Sequence, residues 1–109
     1  MAVRVRGGEV KRDNMDIKRI KKRQYRAIIS AVNFLNKLPG TNRIIILNNG
    51  PFHIEAIRKK EVRLIRIVLD EITKQDEKVI REFLTPDNFT KEIWLKKYKV
   101  RGFKVKEIH

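Results

Sequence analysis

Residues 42–69 hold three β-rich runs, "NRIIIL" (42–47), "FHIEAIR" (52–58) and "EVRLIRIVL" (61–69), separated only by Asn48-Asn49-Gly50-Pro51 and by Lys59-Lys60. Runs dense in Ile and Val and bounded by Asn, Gly and Pro are strand signals, and connections this short turn a chain straight back on itself. A three-stranded meander is therefore the expected centre of the fold. Upstream, Asp13-Asn14 offers an N-cap for a long helix in which Ile17, Ile20, Ala27, Ile28, Ala31, Leu35 and Leu38 form one stripe, stopped by Pro39-Gly40. Downstream, Thr73 with Asp76 three residues on is a capping-box pattern. It opens a short amphipathic helix through Val79, Ile80, Phe83 and Leu84 that ends at Thr85-Pro86.

The tail splits at Val100-Arg101-Gly102 into strand-like runs at 92–98 and 103–108, the arms of a terminal hairpin. The order α, β, β, β, α, β, β predicts an α/β domain with a mixed central sheet flanked by helices over residues 14–109, after a basic N-terminal arm at 1–13. A chain of 109 residues has room for one such core.

There are 27 Lys plus Arg against 13 Asp plus Glu, a formal charge of +14, which repels itself unless an anionic partner neutralises it. The 41% hydrophobic content rules out a disordered basic tail, so the charge belongs to a packed domain. Absence of Cys excludes disulfides, thiolate metal sites and cysteine nucleophiles. No apolar run approaches ~18 residues, so a cytoplasmic protein without a membrane partner is expected. A 37% charged composition rich in Ile, Lys, Arg and Glu also resembles thermophile usage.

The charge is concentrated. Residues 1–38 carry 11 basic and three acidic side chains, and Lys18, Arg19, Lys21, Lys22, Arg23 and Arg26 cover the helix side opposite the apolar stripe with no acid between them. Cations packed that closely gain no pairing energy and repel one another, so this face is the expected contact for the phosphate backbone of DNA or RNA. The tail "KKYKVRGFKVK" interleaves further cations with Tyr98 and Phe103. Trp94, Tyr98, Phe103 and Val105 are expected as strand pairs and core rather than as a stacking platform for bases.

If Lys59 and Lys60 form a two-residue loop, opposed positions sum to 119, and His53 lies opposite Arg66. Glu55 then faces Leu64, with Ile57, Val62 and Val68 on the same side. The other face carries Phe52, Ile54, Ala56, Ile65, Ile67 and Leu69, apolar but for Arg63, and is the side the first helix should cover. Two readings of the His53, Glu55 and Arg66 face follow: a Glu55 to Arg66 ion pair with His53 as a hydrogen-bonding neighbour, or a binding surface. Asp70 and Glu71, with Lys74 nearby, read as a solvent-exposed acidic turn entering the second helix rather than as a separate site.

Over residues 14–109 the order of elements, with "GPFHIEAI" entering the second strand and "VRLIRIV" forming the third, resembles the PD-(D/E)XK nuclease superfamily of restriction-endonuclease-like fold. In that family an Asp follows a Pro-containing turn and the next strand carries (Asp/Glu)-X-Lys, the acids holding magnesium and the Lys positioning the attacking water. Here Pro51 occupies the turn, but His53 stands at the Asp position and Arg66 and Val68 at the (Asp/Glu)-X-Lys positions. The family's first-helix acid has no counterpart beyond Glu9 and Asp16. Glu55 is the only carboxylate nearby, and one acid does not hold magnesium against phosphate.

The resemblance therefore implies a nucleic-acid-binding protein of nuclease-like fold without catalytic residues, bound metal or other cofactor. Two alternatives remain: a magnesium-dependent endonuclease with a rearranged site, and a protein-interaction subunit or homodimer within a nucleic-acid-processing complex.

Overall fold

The computed structural model of the chain describes residues 2–5 and 22–109. Helix α1 (Lys22–Lys37) forms where the apolar spacing predicts it, and Ala27, Ile28, Ala31, Val32 and Leu35 are all buried along one stripe. The part of the expected helix before Lys22 lies outside the described residues. Gly40 closes the turn after α1 at φ +87, a left-handed conformation that favours glycine, while the nearby Arg58 side chain is free to move aside.

Strands β2 (Arg43–Leu47), β3 (Ile54–Arg58) and β4 (Glu61–Leu69) form the expected antiparallel meander. The chain then crosses through helix α2 (Lys74–Glu82) to β5 (Phe89–Lys96), which runs parallel to β4, and β6 (Lys104–Ile108) returns antiparallel as the expected hairpin. Within the segment expected as a basic arm, β1 (Ala2–Val5) adds an antiparallel strand beside β2, so the mixed sheet follows chain order from β1 to β6. No helix among the described residues is long and apolar enough to cross a membrane.

Each face of the sheet has its own core. On one, α1 packs on Ile44, Ile46, Ile54, Ala56, Ile65, Ile67 and Trp94. On the other, Ile80 of α2 meets Phe52, Leu64, Val68, Ile93, Leu95 and Ile108. The capping box at the start of α2 forms as predicted: Asp76 N donates to Thr73 Oγ1 at 3.0 Å, and Thr73 N donates to Asp76 Oδ2 at 2.9 Å.

The two-residue loop at Lys59-Lys60 holds, with register running from Arg58 opposite Glu61 to Ile54 opposite Ile65. There the alternation breaks. His53 N donates to Ile65 O at 2.9 Å although Ile54 is already the partner of Ile65, so two residues oppose one, a β-bulge. Beyond the bulge the faces exchange. Phe52, expected under α1, enters the α2-side core and meets Phe83 edge-on at 5.1 Å. His53, expected opposite Arg66, turns to the α1 side, where its Nδ1 accepts from Ile67 N at 2.8 Å and its Nε2 lies 3.4 Å from Gln24 Nε2.

One carboxylate is buried on the α1 side. Glu92 is 6% exposed and accepts from Arg63 through both oxygens at 2.8 Å, from Trp94 Nε1 at 2.9 Å and from Thr90 Oγ1 at 3.2 Å. The Arg63 guanidinium also lies 5.5 Å from the Trp94 ring centroid. Burial works to raise the Glu92 carboxyl, but the hydrogen bonds from Arg63, Trp94 and Thr90 outweigh it and hold it below its ordinary range.

A carboxyl that titrates lower folded than unfolded contributes fully above the ordinary carboxylate range, and that contribution is lost as pH falls through the folded value. Glu92→Ala, which strands Arg63, is expected to cost about 3 kcal/mol at neutral pH. In denaturant melts, the stability gap between the parent chain and Glu92→Gln is expected to close as the pH is lowered to about 2. A gap independent of pH would show that the carboxylate is not stabilised by folding.

Candidate nucleic-acid interface

Parallel pairing brings the ends of β4 and β5 out of the sheet side by side, with Leu69 beside Lys96 and Asp70 N donating to Lys96 O at 2.9 Å. Asp70 turns the chain here at φ +68. Its carboxylate accepts from Arg23 Nη1 at 2.9 Å and Nη2 at 2.8 Å, and from Tyr98 N at 3.2 Å. One side chain thus joins the first turns of α1, the end of β4 and the connection from β5 to β6. The Arg23 guanidinium holds the Asp70 carboxyl below its ordinary range against the cost of desolvation, and the Tyr98 amide adds to it.

Around this junction lies a shallow depression of about 320 Å³ lined by Arg23, Arg26, Lys96, Lys97, Tyr98 and Lys99, together with Ala27, Ser30 and Leu69; no acid lines it. Tyr98 is 66% exposed. Its ring centroid lies 5.3 Å from the Arg23 guanidinium carbon and 5.4 Å from Lys99 Nζ. The connection is internally braced: Val100 N donates to Lys97 O at 3.1 Å and Lys96 Nζ donates to Val100 O.

Of the six cations singled out in the first helix, Lys22, Arg23 and Arg26 lie exposed in the first turns of α1, while Lys18, Arg19 and Lys21 lie outside the described residues. Arg23 and Arg26 meet the lysines of the tail in one place, a convergence that sequence alone does not show because those lysines lie some 70 residues further along the chain. Tyr98, expected as a strand or core residue, lies past the end of β5 and stands in solvent. Trp94 and Phe103 enter or border the α1-side core, and Val105, half-exposed, is the expected cross-strand partner of Trp94.

The positions matching the nuclease motif are dispersed. His53 is carried to the α1 side by the bulge, and Val68 is buried in the α2-side core. Arg66 lies on the α2 side, but its carboxylate partner is Asp76 rather than Glu55: Nε and Nη2 donate to Asp76 Oδ1 at 3.2 and 3.1 Å, and Nη1 donates to Pro51 O at 2.8 Å. Asp76 has both oxygens engaged, one by Arg66 and the other by Thr73. Burial works to raise its carboxyl, and the bonds from Thr73 and Arg66 hold it lower. Glu55 is half-buried between Ile45 and Leu64. Asp70 and Glu71 form the exposed turn expected of them.

Among the described residues no group of three His, Asp or Glu side chains comes together to hold a metal ion. Comparison of the chain with protein-family models, curated proteins and solved structures finds no match.

Arg66 thus ties the turn before β3 to the N-terminus of α2. Arg66→Gln is expected to lower stability by about 1–3 kcal/mol, and Asp76→Ala by rather more because the cap is lost as well. In urea denaturation the double variant is expected to be less destabilised than the sum of the singles, whereas simple additivity would mean that the two side chains do not act as a pair.

Proposed function

We propose that the chain is a nucleic-acid-binding protein that holds the phosphate backbone of DNA or RNA by charge, on a restriction-endonuclease-like scaffold without nuclease chemistry. The observation that carries this reading is the convergence of Arg23, Arg26, Lys96, Lys97 and Lys99 on one acid-free depression. Five like charges drawn from two distant segments raise the energy of the free protein. Asp70 neutralises Arg23 alone, and Arg26 and Lys97 form no ion pair among the described residues. A polyanion supplies what the fold leaves out, and Arg and Lys side chains are the ordinary ligands of phosphate oxygens.

The scaffold part of the reading is supported by the α, β, β, β, α, β run from α1 to β5, which β1 precedes and β6 follows, with a helix on each face. His53, Arg66 and Val68, at the motif positions, are tied into the fold. Side chains satisfied by their own protein are poorly suited to hold a metal and a water nucleophile.

Anisotropy titrations at several salt concentrations test this. Affinity is expected to fall with a log-log slope of about 0.9 per phosphate neutralised on duplex DNA, or about 0.7 on single strands. Combining Arg26→Glu with Lys97→Glu is expected to weaken binding at least tenfold and to flatten the slope by about two phosphates' worth. Arg66→Gln is expected to leave affinity and slope unchanged. Binding that ignores both salt and the charge reversals would rule out this surface.

A further inference from the structure

The cations explain attraction to phosphate, but not why an aromatic ring stands among them. Tyr98 is 66% exposed and packs into neither core. Its backbone is nevertheless fixed: its N–H is held by Asp70, and Lys99 at φ +61 and Gly102 at φ +76 shape the turn that carries it. Asp70 also fixes Arg23 beside the ring. A side chain that contributes little to the core is therefore displayed on a braced turn, between cations from two different elements.

We propose that Tyr98 is a stacking platform for one unpaired base, with the phosphates on either side of that base taken by Arg26 and Lys97. The proposal rests on the nucleic-acid reading above and names its substrate class: a single strand, or the unpaired part of a branched or gapped duplex. The ring selects for this class because bases inside a duplex already stack on one another and present only their edges, whereas an unpaired base offers a free π-face of any sequence. Tethering of Arg23 to Asp70 gives the guanidinium two roles, bracing the ring and presenting a second flat surface, a cationic one, against which the base can lie.

The test compares a fluorescent oligothymidylate with a duplex of equal length, using the full chain at two salt concentrations. The single strand is expected to bind more tightly. Tyr98→Ala is expected to weaken it about 5- to 140-fold, the range for loss of one base–aromatic stack. The salt slope and the duplex affinity are expected to stay unchanged, and Tyr98→Phe to retain binding because the stack needs the ring and not the hydroxyl. Thermal melts of both variants are expected to match the parent, since the ring is outside the cores.

If Tyr98→Ala weakens duplex and single strand equally, or changes neither, the stacking proposal is overturned while phosphate binding stands. If the parent chain binds neither nucleic acid, the reading on which the proposal rests fails with it.

Discussion

Parallel strands cannot be joined by a tight turn, so the pairing of β4 with β5 commits residues 70–88 to a crossover over one face of the sheet. Helix α2 lies in that crossover and closes the core beneath it with Ile80. The opposite face is left to α1, whose apolar stripe fills it. The same pairing sends β4 and β5 out of the sheet at one end, so Asp70 and Tyr98, 28 residues apart, come within hydrogen-bond distance. Had the two strands run antiparallel, those residues would lie at opposite ends of the sheet and the basic depression would not exist.

Strands covered on both faces normally read as continuous apolar runs, and β4 and β5 depart from this within their spans at Arg63, Arg66, Lys91 and Glu92. Each departure is matched on its own side of the sheet, Arg63 by Glu92, Arg66 by Asp76, and Lys91 by the Arg81 and Phe83 carbonyls at the end of α2. An isolated charge at such a position would cost several kcal/mol, so a one-residue slip of β5 along β4, which moves Glu92 to the other face, is strongly penalised. Apolar side chains such as Ile65, Ile67 and Ile93 tolerate many registers, and the charged pairs reject the alternatives.

What was legible in the sequence divides along the same line between local and distant causes. The stripe from Ala27 to Leu35, the capping box at Thr73 and Asp76, and the loop at Lys59-Lys60 are set by residues within a few positions of one another, and all stand as expected. The His53 to Arg66 pairing fails because strict alternation contains no bulge. The extra residue is accommodated by a ring nitrogen of His53 that accepts the Ile67 amide, an interaction that spacing does not reveal. Glu92 looks like one more polar residue until β5 is laid beside β4 and its partner 29 residues away comes into reach. Tyr98 continues the alternation of Trp94 on paper, but β5 ends at Lys96 and the ring emerges on a turn.

The backbone supplies a further reason to regard that end of the sheet as more than a solvated basic surface. Among the described residues the non-glycine positions at positive φ are Lys59, Asp70 and Lys99, each in a conformation that costs about 1–3 kcal/mol. Lys59 makes the hairpin turn between β3 and β4. Asp70 and Lys99 bracket the basic depression, one holding Arg23 and the Tyr98 amide and the other leaving its ammonium near the Tyr98 ring. A solvated loop has no need of strain at two points or of a carboxylate shared between elements, whereas a surface that must present separate cations and a ring in fixed relation does. Asp70 lowers the local positive charge, yet in doing so it holds Arg23 and Tyr98 in place, and for the flat, charged ligand proposed above position counts for more than the charge it gives up.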